Sequence, residues 1–176
     1  SPAAAYTASA TGGVIADSVT SGAISLVKNG GGTEILSGTN DIQGPTTINA
    51  GTLLVNGSLD ASAVNVVGGT LGGGGLISGP VTVQASGRLS PGASIGTIAF
   101  NTAPGLGGIL VMEINRTNAQ PSDRIDVNSG NLIYGGTLTV TNIGPALQSG
   151  DSFPLFTASG SSGEFAATNL PPLASG

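Results

Sequence analysis

A glycine followed by threonine or by an x-Leu pair returns four times between Leu26 and Ile98, and no other feature constrains the fold as strongly. Gly32-Thr33, Gly51-Thr52-Leu53, Gly69-Thr70-Leu71 and Gly87-Arg88-Leu89 follow one another at intervals of 19, 18 and 18 residues. A β-branched patch precedes each of the last three: Thr46-Thr47-Ile48, Val64-Asn65-Val66-Val67 and Val81-Thr82-Val83. Each repeat reads as two short strands and two turns. A unit that small cannot bury its own apolar face, so it must stack on copies of itself as a β-solenoid. An antiparallel sandwich needs longer strands and has no reason to turn at a fixed interval. Stacked parallel coils require both a fixed coil length and like residues in equivalent slots, and Thr52 and Thr70, with Leu53, Leu71 and Leu89, supply the second.

The composition agrees with thin, regular layers. The 176 residues include 31 Gly, no Trp and only six aromatic residues, so Gly, Ala, Val, Thr, Ser, Ile and Leu must build nearly everything. Charged residues make up 7% of the chain and the net charge is −5. That mild acidity, with Lys28, Arg88, Arg116 and Arg124 scattered, disfavours nucleic acid and anionic membranes as partners. A neutral, hydroxyl-rich surface also permits self-association. No apolar run is long enough for a membrane-spanning helix, and no signal peptide stands in the sequence as given.

Along the chain, residues 1–13 read as an Ala/Ser/Thr arm, 14–100 as regular solenoid, and 101–176 as a less regular section that caps it. Thr39-Asn40-Asp41 reads as a polar corner, and Gly72-Gly73-Gly74-Gly75 as a turn. The apolar run Gly108 to Ile114 contains one charge, Glu113, expected to point outward from a strand. Phe100, Phe153, Phe156 and Phe165 all fall late in the chain, where larger side chains would fill a widening cross-section. At about 18–19 residues per coil, about nine turns and a rod of roughly 45 Å are expected.

Leu26 to Leu36 with Ser37-Gly38, followed by Thr46-Thr47-Ile48-Asn49-Ala50-Gly51-Thr52-Leu53-Leu54-Val55-Asn56-Gly57, closely resembles the autotransporter-associated β-strand repeat. The resemblance is good from Leu26 to about Leu59, with degenerate copies to Ile98. It implies a right-handed parallel β-helix and export to a bacterial outer surface. A role as stalk, adhesin or surface layer is implied with it.

Chemistry is constrained by what the chain lacks. With no His and no Cys, Ser-His-Asp and Cys-His catalysis, most zinc sites and haem ligation are excluded. The one compact set of metal-ligand types is Asp123, Asp126 and Asn128, but strand alternation turns Asp123 away from the other two. The bland reading there is a solvated face with an Asp-Arg pair. Gly72 to Gly75 has no following Lys-Ser or Lys-Thr and no helix, so a phosphate cradle is not expected. No catalytic, cofactor or metal site is therefore assigned. Gly32, Thr33, Gly51, Thr52, Leu53, Gly69, Thr70, Leu71, Gly87 and Leu89 are expected to be structural repeat positions.

The leading expectation is a non-catalytic extracellular solenoid that joins other copies of itself head to tail, because a solenoid end is an open strand edge. The alternative is an adhesin binding glycans or host molecules. Tyr6 and Tyr134 are poor material for the aromatic platforms that glycan binding favours. A polysaccharide lyase or hydrolase comes third, since it needs carboxylates converging on one lateral face.

Overall fold

The computed structural model describes residues 5–6, 11–13, 24–60 and 63–173. Among them every regular element is a strand, and every pairing between strands is parallel. Strands gather into one eight-stranded and two six-stranded sheets, with a separate two-stranded pair, Asn131–Tyr134 and Gly160–Gly163. The architecture is a right-handed parallel β-helix.

One coil gives one strand to each sheet. Thr46–Ile48, Thr52–Val55 and Ser58–Asp60 form one coil, and Val64–Val66, Thr70–Gly73 and Leu76–Ile77 lie directly above it. Two corrections to the sequence reading follow. The repeat holds three strands rather than two, and Thr39–Asp41 is the first described strand of the third sheet, not a corner. These third strands are two to four residues long in the first four described coils, and their inward slot holds Asn40, Leu59, Ile77 and Phe100 in turn, so no periodic signal marks them. Gly72 and Gly73 likewise belong to a strand, and the turn begins after them.

The inner ladders are apolar columns. Leu53, Leu71, Leu89, Leu110 and Leu138 stand in register and are all buried. A second column holds Ile48, Val66, Val83 and Leu106, and a third Leu59, Ile77, Phe100 and Val127. The first described coil breaks the pattern twice: Glu34 takes the slot below Leu53, and Asn40 the slot below Leu59. Asn40 is fully buried, and its Nδ2 donates to the carbonyls of Gly38 at 2.8 Å and Ser58 at 3.1 Å, so its polarity is satisfied by two successive coils. Outside, Thr33, Thr52 and Thr70 form the expected threonine column.

The repeat glycines have a steric origin. Gly51 adopts φ 70°, and a Cβ there would run into the Gly30 and Gly32 carbonyl oxygens. At Gly87 a Cβ would run into the Val66 carbonyl of the coil below. Gly87→Ala is thus expected to push two rungs apart and lower stability by about 1–3 kcal/mol, the usual range for overpacking. A denaturant midpoint equal to that of the parent chain would show that the corner has room after all.

Coil length changes along the axis. From Thr33 on, register partners in the eight-stranded sheet are 19, 18 and 18 residues apart up to Arg88, then 21, 28 and 30. Part of the surplus is a hairpin closed by the Ile114 to Ser122 antiparallel bridge, and part lies between Asn142 and Phe156. The expected nine turns become eight rungs in the longest sheet, or about 34 Å at about 4.8 Å per rung. Tyr134, Phe156 and Phe165 fill the wider section, with ring centroids 5.0 to 6.2 Å apart. At the other end, Ala5–Tyr6 and Thr11–Gly13 pair with the first described coil. The remainder of the 1–13 arm lies outside the described residues.

Candidate functional site

A lateral concavity lies on the outer face of the eight-stranded sheet, beside a glycine that lets the chain pack close against it. Leu54, Gly72 and Ser90 are stacked in register at an outward-facing position. A Cβ at Gly72 would strike the Ser90 carbonyl and press on the Leu54 side chain, so glycine there lets the chain after Ser90 fold close against the sheet. The resulting groove has a volume of about 290 Å³. One wall is the threonine column, Thr33, Thr52 and Thr70, and the other is the segment Pro91 to Ser94. Glu113 supplies its single charged lining residue.

The second wall is a loop folded back on the sheet. Gly92 donates to the Gly73 carbonyl at 2.8 Å and accepts from the Gly73 N–H at 3.2 Å, an antiparallel bridge within an otherwise parallel stack. Gly92 holds φ 73°, which the reversal requires. The far end of the loop is fixed by Asp123. This buried carboxylate accepts from the Gly96 N–H at 2.8 Å and from the Glu113 N–H at 2.7 Å, while the Asp123 N–H donates to the Glu113 carbonyl at 2.7 Å. Asp123 therefore joins the wall loop to the strand that carries Glu113. Burial raises its carboxyl to about 6; the two backbone hydrogen bonds oppose that rise, and the nearby Glu113 charge adds to it.

The metal-type residues noted in the sequence are not brought together. Asp123 points inward, Asp126 outward into an ion pair with Arg124 at 2.7 Å, and Asn128 donates to the Asn101 side chain at 3.0 Å. The alternation seen in the sequence holds, and the Asp-Arg pair of the bland reading is present. Glu113 faces outward, as expected from its place in an alternating strand. Tyr134 packs into the aromatic cluster instead of forming a platform, and the side chain of Tyr6 lies outside the described residues. The groove itself was missed. Gly72, in register with Leu54 and Ser90, was read as part of a turn rather than as the strand position against which the wall loop packs.

A second concavity closes the C-terminal end. Ile114, Val140, Leu147, Phe153 and Leu155 meet Leu170 and Leu173, which are 66% and 69% exposed. Leu173 pairs with Leu147 in a single parallel bridge. In the eight-stranded sheet the last rung, Ala167–Asn169, is paired with Thr137 to Thr139 and with no further strand among the described residues.

Comparison with known proteins agrees with the fold. The passenger-associated-transport-repeat family matches residues 26–55. The adhesin BmaC autotransporter of Brucella suis biovar 1 (strain 1330) is 37% identical over 170 aligned residues, covering 86% of this chain. The chain spans 5% of the length of that relative.

Proposed function

We propose that this chain, which carries the passenger-associated-transport-repeat of residues 26–55 and is similar to an autotransporter adhesin, is a secreted, surface-exposed β-helix that serves without catalysis as a stiff length of a bacterial surface fibre, stalk or layer, joined end to end to further copies of itself. The observation that supports this reading is the parallel stack itself, with Ala167–Asn169, its last described rung, exposed beside the exposed Leu170 and Leu173. Open parallel edges pair with other strands unless charge, proline or a cap blocks them. Pro171 and Pro172 border this edge without covering Ala167–Asn169. Residues 14–100 would form the regular shaft, 101–176 the widening end and 1–13 the arm.

Light scattering across a concentration series tests the association. The weight-average mass is expected to rise with concentration, and Leu170→Asp with Leu173→Asp is expected to suppress the rise. A constant monomer mass up to high concentration would reject end-to-end joining.

A second reading is favoured by the lateral groove: the rod itself is an adhesive surface, in keeping with the adhesin named above. Both readings are non-enzymatic. The divergence of Asp123 and Asp126 supports that, and turnover of an acidic glycan would overturn it.

A further inference from the structure

We propose that the groove between the Thr33, Thr52 and Thr70 column and the Pro91 to Ser94 loop receives a lysine or arginine side chain presented by an extended peptide segment of another protein. This rests on the adhesive reading and names the chemistry of its ligand.

Three observations point to such an occupant. The first is charge. Among the described residues, the two ion pairs are Arg116 with Asp151 and Arg124 with Asp126, and neither involves Glu113. Lys28 donates to the carbonyls of Asn29, Gly30 and Ala50 at its own corner, and Arg88 stands exposed in the threonine column outside the lining. The Glu113 carboxylate, with Asp123 behind it, thus gives one end of the groove a negative field that a cation would complement.

The second is the rest of the lining. Leu54, Pro91 and Ala93 offer apolar surface for a methylene stem, while the charged head reaches Glu113. The hydroxyls of Thr52, Thr70 and Ser94 can donate to and accept from the flanking peptide groups. No aromatic ring lines the groove, which weighs against a sugar ring as the occupant.

The third is size. At about 290 Å³ the groove lies at the small end of ligand pockets, enough for one long side chain and its adjoining backbone. Its loop wall is fixed in advance, by the Gly73 to Gly92 bridge at one end and by Asp123 at the other, which lowers the ordering cost of binding.

Fluorescence anisotropy with a labelled Gly-Ser-Gly-Lys-Gly-Ser-Gly peptide tests this directly. The whole chain is expected to bind the peptide at low salt and to bind its acetyl-lysine counterpart at least tenfold more weakly. Binding should also weaken as salt is raised. Glu113→Gln leaves the backbone N–H to Asp123 intact and should weaken binding at least tenfold with an unchanged melting temperature. Thr70→Lys, a half-buried outward position, should do the same by placing a competing ammonium in the groove. Equal binding of the acetylated peptide, no loss in Glu113→Gln, or preferential binding of a neutral chito-oligosaccharide would overturn the proposal. Adhesion of protein-coated beads to cultured cells separates the two levels: adhesion that survives Glu113→Gln overturns the groove while sparing the adhesive reading, and no adhesion by the parent chain rejects that reading.

Discussion

Phe100→Ala is expected to lower the unfolding free energy by about 3–5 kcal/mol, the largest effect of any single truncation in this chain. Phe100 is fully buried and lies in register between Ile77 on the coil below and Val127 on the coil above. In a globular core, neighbouring elements can shift to fill part of a cavity. Here the flanking strands are held about 4.8 Å apart by their backbone ladders, so a gap left at Phe100 has little means of collapse. Urea denaturation followed by circular dichroism would read the loss as a lower midpoint at constant slope. A change below about 1 kcal/mol would mean that the interior at this rung is not packed as described.

The second large effect depends on pH. Asp123 has its carboxyl raised to about 6 in the folded chain from an ordinary 3.8. Between those two values the native state holds a proton that the unfolded chain has released, so its contribution favours folding at the acid end of the window. That contribution is lost as the pH rises from about 4 to about 6, and it is constant above. One pKa unit is worth about 1.4 kcal/mol, so the whole window represents on the order of 3 kcal/mol. The ordinary acid loss of stability expected from paired carboxylates is therefore opposed here between pH 4 and 6. In Asp123→Asn nothing titrates at this position, and the difference in unfolding free energy between variant and parent should change by that amount across the window. A difference independent of pH would show that Asp123 does not titrate as a buried acid. The substitution also leaves either Gly96 or Glu113 facing an amide donor, so looser packing of the loop at residues 91–96 should accompany it at every pH.

Such a group has a consequence for the surface. The same carboxylate fixes Gly96, at the end of the groove wall, and the backbone of Glu113, which carries the groove's charge. The lateral face is thus tied to a residue that does not itself reach solvent. The groove, the hairpin closed at Ile114 and Ser122, and the shift from 18-residue to 28-residue coils all occur in the same stretch of the rod. Repetition gives the shaft, and interruptions to the repetition give it local character.

Much of the fold was legible before any coordinates. Gly51, Gly69 and Gly87 mark the corner where a Cβ would strike the coil below, and Leu53, Leu71 and Leu89 mark the inward slot two residues later. The third strand was not legible. Thr39–Asp41, Ser58–Asp60 and Leu76–Ile77 place Asn40, Leu59 and Ile77 in one column, and no residue type recurs there. An inward asparagine looks like a turn residue until its two carbonyl partners on successive coils are seen.

The chain's own residues determined the winding, because successive coils reuse one local solution, glycine at a tight corner with threonine outside and leucine inside, departing from it singly, as at Glu34 and at Arg88. They determined too that His-based and Cys-based chemistry is absent, since the residues themselves are absent. Only the tertiary structure decided the groove and the Asp123 junction. Each depends on which residues of different coils, 10 to 27 positions apart, are brought within hydrogen-bond reach. A repeat period specifies which slots stack, but departures from it are resolved by packing, and that is where this protein's distinctive surface lies.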